Sequence, residues 1–120
     1  MKVALTSRGN NLDAALDSRF GRAANFLLWD SASGAVEVLE NTQNLNLAQG
    51  AGIQSAMRVV ENGAKAVITG HCGPKAFRVL QEAGVKVYLT QAKDGHEAIR
   101  LFKAGELKEA AAADVEGHWT

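Results

Sequence analysis

The sequence predicts an α/β fold built on a mixed five-stranded sheet with helices on both faces. Three apolar runs come first, at residues 2–6, 25–30 and 36–40, and the turn-rich S-A-S-G between the last two predicts an antiparallel hairpin. Helix and strand patterns then alternate, as parallel strands with crossover helices require. The predicted order is therefore β-β-β-α-β-α-β-α, with one antiparallel strand.

The second half of the chain repeats one helix-to-strand unit. The pattern E-x-G-x-K-x-x-x-T occurs at 61–69 and again at 82–90, and in each copy the glycine ends a helix before the next strand begins. A three-strand meander followed by two such units resembles the ribonuclease-H-like arrangement.

Each predicted helix has an identifiable start and one apolar face. The first helix follows Q-G-A-G, the second opens at Pro74, and the third has an N-cap at Asp94 with Glu97 reaching back. Helical spacing predicts that the apolar side of each helix faces the core. The predicted core positions are Ile53, Ala56, Met57 and Val60, then Ala76, Phe77 and Leu80, then Ala98, Ile99 and Phe102.

The length and charge of the chain fit a single domain without an extended charged surface. The 120 residues include 13 basic and 13 acidic side chains, so bulk electrostatics do not favour a nucleic-acid or membrane partner. The apolar runs are too short for a membrane span or a signal peptide, which predicts a cytoplasmic protein. Residues 1–105 form the predicted domain, and residues 106–120 are expected to be a frayed helix or loose tail.

A polar segment at residues 7–23 is too long for a tight turn. It holds Arg8, Arg19 and Arg22, and Phe20 lies between two of these arginines in R-F-G-R. Long connections without regular structure are often functional, but a solvated surface loop is an equally open interpretation. An aromatic side chain at this position calls for an explanation beyond packing.

Three stretches are expected to meet at one edge of the sheet. Ligands of open α/β sheets bind outside the carboxyl ends of the parallel strands, where the arginine segment, the Q-G-A-G helix entry and the loop G-H-C-G-P-K would converge. Each stretch supplies cationic side chains or the free N–H groups of a helix start, and carboxylates are scarce. The expected ligand is therefore an anion that comes close to the backbone.

The only cysteine, Cys72, has three open interpretations. A single cysteine excludes an internal disulfide and any site built from several thiolates of one chain. Cys72 could be an inert core residue, a soft ligand, or a nucleophile whose pKa is lowered by the neighbouring helix start. His71-Cys72-x5-Arg78 matches the outline of cysteine-dependent phosphatases, but Pro74 removes one N–H donor and Arg78 falls one helical turn beyond the loop.

The three histidines have different expected roles. His71 is either a hydrogen-bonded loop residue or, beside Cys72, a contact for a soft metal such as copper or zinc. His96 and His118 are isolated and are expected at the surface.

Two blocks of sequence carry a family resemblance. N-x-L-D-x-x-L-D-x-R-F-G-R-A near the start and G-x-C-G-P-K-A-F-x-V-L-x-x-A-G-V-K-V-Y later on, with G-A-G opening a helix between them, resemble the nitrogenase iron–molybdenum-cofactor biosynthesis family of small cofactor carriers. The resemblance covers about residues 1–105. It implies a ribonuclease-H-like fold and non-enzymatic binding or transfer of a molybdenum-containing metal–sulfur cluster, of iron–molybdenum type or a mixed molybdenum–copper sulfide.

The resemblance also implies a set of binding residues. Such a cluster is anionic and carries its own sulfide, so the protein need not supply several cysteines. Proteins that donate or accept the cluster are the implied partners, and nucleic acid and membrane are not. The implied contacts are Arg19, Phe20 and Arg22 on the long segment, Gly50, Ala51 and Gly52 at one helix start, Gly73 and Lys75 at the next, and Cys72 or His71 as an optional metal ligand.

Overall fold

The computed structural model describes residues 1–41 and 50–113 of the chain. The described residues form a sheet with the order β3-β2-β1-β4-β5, in which β2 is antiparallel to both neighbours and the β1–β4 and β4–β5 pairs are parallel. The predicted element order and the single antiparallel strand are confirmed. The elements are β1 (Lys2–Ser7), β2 (Asn25–Asp30), β3 (Val36–Glu40), α1 (Ala51–Glu61), β4 (Ala64–Thr69), α2 (Pro74–Glu82), β5 (Lys86–Leu89) and α3 (Gly95–Lys103).

Helices cover both faces of the sheet, as predicted. On one face, α1 and α2 pack on the side chains of Phe26, Val67 and their neighbours. On the other face, α3 packs through Ala98 and Ile99. The strands β1, β2 and β4 are largely buried on both sides because their apolar side chains alternate between the two clusters.

The buried face of α1 differs from the predicted face. Met57 is 44% exposed, so its assignment to the core is wrong. The buried face is built from small residues and one polar side chain: Ala51, Gly52, Ser55, Ala56 and Val59. The pattern of hydrophobic residues did not predict this face, because it includes the polar residue Ser55, which is buried and forms the hydrogen bonds described below.

Part of the segment expected to be a tail contacts β5. The Ala110 N–H donates to the Val87 carbonyl at 2.8 Å, and Glu109 forms a bridge with Tyr88. This part of the expected tail therefore covers the edge of β5, while residues 114–120, including His118, lie outside the described residues. In the described ranges, no helix is long and apolar enough to cross a membrane.

The N-cap of α3 provides a stability test. The Asp94 carboxylate accepts from the Glu97 N–H at 2.9 Å, and the Glu97 carboxylate reaches back to the Lys93 N–H at 3.0 Å. Because Asp94→Ala leaves an N–H of the first turn without this acceptor, we expect it to lower the free energy of unfolding by about 1 kcal/mol. Urea denaturation measures the change, with exposed Glu106→Ala as the control; equal midpoints for the two variants would show that the cap contributes nothing.

Candidate functional site

The R-F-G-R segment, Arg19–Arg22, lies beside the carboxyl ends of β1 and β4. Two hydrogen bonds fix the chain just before this segment. The Asp17 N–H donates to the Thr6 carbonyl at 3.0 Å, and the Thr6 hydroxyl donates to the Asp17 carbonyl at 2.7 Å. The Thr6 hydroxyl is also 3.0 Å from the hydroxyl of Thr69, the last residue of β4. The long segment is therefore anchored to β1, and the same Thr6 side chain contacts β4, before the chain reaches Arg19.

The first contact of the R-F-G-R segment is with the start of α1. A Cβ placed on Gly21 would lie 2.8 Å from the Gly52 Cα and 2.9 Å from the Gly52 N. Both are backbone atoms, so no side-chain rotation could make room for it. The segment therefore touches α1 backbone to backbone, and only glycine fits at position 21.

A buried polar network holds this contact in place. Ser55, in the second turn of α1, donates to the Gly21 carbonyl at 3.3 Å. Asn41 donates through its amide to the Ala23 carbonyl at 2.9 Å and lies 3.1 Å from the Ser55 hydroxyl. Both side chains are fully buried. Because buried polar groups are costly without partners, this network favours one position of the segment against α1.

The second contact of the R-F-G-R segment is with the loop before α2. The Phe20 N–H donates to the His71 carbonyl at 3.1 Å, and Arg19 pairs with His71 as a parallel bridge. A Cβ on Gly70 would lie 2.8 Å from the backbone of Ser18. The segment thus joins the two helix entries, and we call residues 19–22, 50–52 and 71–75 together the cradle.

Both helices of the cradle begin without a side-chain cap. The N-cap of α1 is Gly50, at φ 83°, and the N-cap of α2 is Gly73, followed by Pro74; within the described residues neither start has a side-chain hydrogen bond or an acidic residue in its first turn. By contrast, α3 is capped by Asp94 and carries Glu97. Uncapped helix starts present partial positive charge and attract anions.

Cationic side chains add to this positive character. Arg19 and Lys75 are exposed, while Arg22 and His71 are partly buried. Arg19 lies next to an acidic group, since its backbone N–H donates to the Asp17 carboxylate at 3.1 Å and its Nε lies 3.9 Å from the same oxygen. The exposed part of the cradle is therefore basic, with one buried carboxylate beneath it.

One protein-family model matches most of the chain. A sequence model described as dinitrogenase iron-molybdenum cofactor matches residues 1–105. The chain belongs to this family. The matched range contains every residue of the cradle.

Related proteins span nearly the whole chain. An uncharacterized protein of Methanocaldococcus jannaschii is 33% identical over 112 residues, which is 91% of each chain. The apo form of the orange protein from Desulfovibrio gigas is 38% identical, with a TM-score of 0.92, over 95% of this chain and 96% of that one. A Thermotoga protein solved by NMR, suggested to be a NifB protein and placed in the DUF35 family, is 37% identical, with a TM-score of 0.84, over 97% of this chain and 98% of that one.

Phe20 does not need an explanation beyond packing, contrary to the expectation from sequence. Its ring is 1% exposed and lies 5.2 Å from the Phe26 ring, in the cluster between the sheet and α1 and α2. Phe20 therefore anchors the R-F-G-R segment in the core, and the two flanking arginines remain at or near the surface. This burial argues against a direct contact between the ring and a ligand.

The structure brings the remaining cradle residues together but covers some of them. Ala51, Gly52 and Gly73 are buried, and Gly50 is partly exposed. The close approach that Gly52 permits is made by Gly21 of the same chain. A ligand would thus meet Arg19, Arg22, Gly50, His71 and Lys75 first.

The phosphatase outline does not assemble around Cys72. The Cys72 thiol is 1% exposed, lies 3.7 Å from the Gly73 carbonyl, and belongs to the same apolar cluster as Phe20. The Arg78 side chain is 80% exposed and pairs with Glu82 at 3.1 Å, one turn into α2. A buried thiol and an arginine directed to solvent cannot hold one phosphate between them.

Metal-ligating side chains do not cluster in the described part of the chain. Among these residues no group of three His, Cys, Asp or Glu side chains could hold a metal ion. His96 is at the surface, as expected, 2.7 Å from Asp13.

Sequence reasoning missed the residues that position the cradle. Asp17 belongs to the quoted motif but was given no role, and Asn41 and Ser55 are single polar residues that no motif singles out. The available signal was Ser55, a polar residue between Gly52 and Ala56 on a side of the helix made of small residues.

Proposed function

We propose that this protein binds and carries an anionic, molybdenum-containing metal–sulfur cluster and catalyses no reaction on it. The observation that carries the proposal is the joining of two uncapped helix starts by the R-F-G-R segment, which gathers cations and N–H dipoles at one place. The iron–molybdenum cofactor that gives the family its name and a mixed molybdenum–copper sulfide are the two candidate cargoes.

The chemistry of the cradle fits such a cargo. The cluster supplies its own sulfide ligands, so the protein has to provide positive charge and hydrogen-bond donors. Arg19, Arg22 and Lys75 would counter the negative charge, and the helix start at Gly50 would donate to it. Partly exposed His71 would be the first candidate for direct metal contact, whereas Cys72 would have to leave the apolar cluster to reach it.

This proposal has consequences for partners and binding strength. A carrier in the cytoplasm would receive the cluster from one protein and release it to another. Binding that is mainly electrostatic and hydrogen-bonded is reversible and weakens as salt screens the charges. Neither a nucleic acid nor a membrane is required.

Reconstitution with tetrathiomolybdate and copper tests the proposal. We expect a coloured complex whose charge-transfer absorption stays with the protein on a desalting column at low salt and is progressively lost as salt is raised. Metal and sulfide analysis of protein purified without oxygen from its native host identifies the natural cargo. A colourless protein fraction, combined with Cys72-dependent hydrolysis of an aryl phosphate, would favour the phosphatase alternative instead.

A further inference from the structure

We propose that Asp17 positions Arg19 in the empty cradle and competes with the anionic cargo for it, which sets how tightly the cargo is held; this rests on the proposed function. Asp17 would therefore be a positioning residue that acts on the cargo only through Arg19.

The geometry makes Asp17 and Arg19 one unit. A single carboxylate oxygen of Asp17 accepts the Arg19 backbone N–H at 3.1 Å and lies 3.9 Å from the Arg19 Nε. The Asp17 side chain is 7% exposed, whereas the Arg19 side chain is 49% exposed. The carboxylate is thus held inside while the guanidinium extends to the surface where a ligand would arrive.

Asp17 cannot easily follow Arg19 if the arginine moves toward a ligand. Its backbone is tied to Thr6 of β1 by two hydrogen bonds, of 3.0 and 2.7 Å. The Arg19 side chain is long and half in solvent, so it can turn from Asp17 toward an anion. An opposite charge that remains behind in a buried position attracts the guanidinium and opposes this turn.

Asp17→Asn separates the hydrogen bond that positions Arg19 from the negative charge that competes with the cargo. Asparagine has nearly the same shape and keeps an oxygen that can accept the Arg19 N–H, but it removes the negative charge. Because Arg19 is then free of the competing charge, we expect the reconstituted molybdenum–copper cluster to bind about three- to tenfold more tightly. A merely structural role for Asp17 would give weaker binding or none.

The matched control is Asp13→Asn. Asp13 lies on the same long segment and its loss changes the net charge equally, but its side chain is 85% exposed and contacts His96. Cluster dissociation is measured for wild type, both variants, Arg19→Ala and Asp17→Asn/Arg19→Ala, by the charge-transfer absorption retained at increasing salt. We expect Asp13→Asn to match wild type and Asp17→Asn to have no effect once Arg19 is alanine.

A second measurement needs no variant. In the wild-type protein, the Nε–H resonance of Arg19 should shift on cluster loading as the side chain turns from Asp17, while that of Arg78 should not. Equal binding by wild type and Asp17→Asn, an equal gain in the Arg19→Ala background, or an unmoved Arg19 resonance would each overturn the role of Asp17. Failure of the wild type to retain any cluster would instead overturn the proposed function, and the role of Asp17 would fall with it.

Discussion

Replacing Gly21 by alanine is expected to destabilise the protein and to open the cradle. The added Cβ would lie under 3 Å from two backbone atoms of Gly52. Since neither atom can move by side-chain rotation, the R-F-G-R segment or the start of α1 must shift. We expect a loss of about 3 kcal/mol in the free energy of unfolding, near the upper end for overpacked sites. Cluster retention should fall as well, because the cations and the helix start of α1 would no longer lie together.

Gly84→Ala is the matched control for this substitution. A Cβ on Gly84 meets nothing within 4 Å, but its φ of 76° lies in the left-handed region. The control therefore measures backbone strain alone, about 1 kcal/mol, at a site remote from the cradle. Urea unfolding compares the two variants. If Gly21→Ala were as stable as Gly84→Ala, the close contact between the segment and α1 would not be important for folding.

Removing both arginines of the R-F-G-R segment is expected to produce the largest loss of cluster binding. Arg19 and Arg22 flank Phe20, whose burial fixes the backbone between them. Each arginine can make a charge-assisted hydrogen bond worth about 1.5–3 kcal/mol. The double variant Arg19→Ala/Arg22→Ala should therefore bind the reconstituted cluster on the order of 100-fold more weakly, with a smaller dependence on salt.

The control for this variant removes the same charge elsewhere. Arg78 and Arg100 are exposed on α2 and α3, and Arg78 is engaged with Glu82 at the surface. Cluster retention by Arg78→Ala/Arg100→Ala should remain close to wild type, and thermal unfolding of both double variants shows whether the fold is kept. Equal losses in the two double variants would mean that net charge, and not the cradle, governs binding.

Phe20 shows which part of the candidate site could not be predicted from the sequence. An aromatic residue between two cations in a polar segment suggests a ligand contact, because its immediate neighbours are an arginine and a glycine and the segment has no regular apolar period. The burial of Phe20 depends on Phe26 in β2 and on the helices above that strand. Phe26 belongs to the next strand and the helices begin at residues 51 and 74, so periodicity within the segment carries no information about these contacts.

Met57 and Ser55 show the same limit within a helix. Apolar spacing predicted a core face that included Met57, but Ser55 is turned inward because the Gly21 carbonyl and the Asn41 side-chain oxygen can accept from its hydroxyl. Whether a serine can be buried depends on partners from other elements. Such partners exist only once the chain has folded, so hydrophobicity alone placed Ala56 and Val60 correctly against the core but assigned Met57 to it wrongly and missed Ser55.

The sequence by itself determined the element order, the single antiparallel strand, the placement of helices on both faces, and the family. These features follow from local patterns: apolar periodicity, turn residues, the helix N-cap at Asp94 and two blocks of motif. Only the tertiary structure decided that Phe20 and Cys72 point inward, that Gly21 seats against Gly52, and that buried Asp17 lies beside Arg19. The physical reason is that burial and pairing depend on contacts between segments far apart in the chain, whereas strands, helices and turns are largely specified by neighbouring residues.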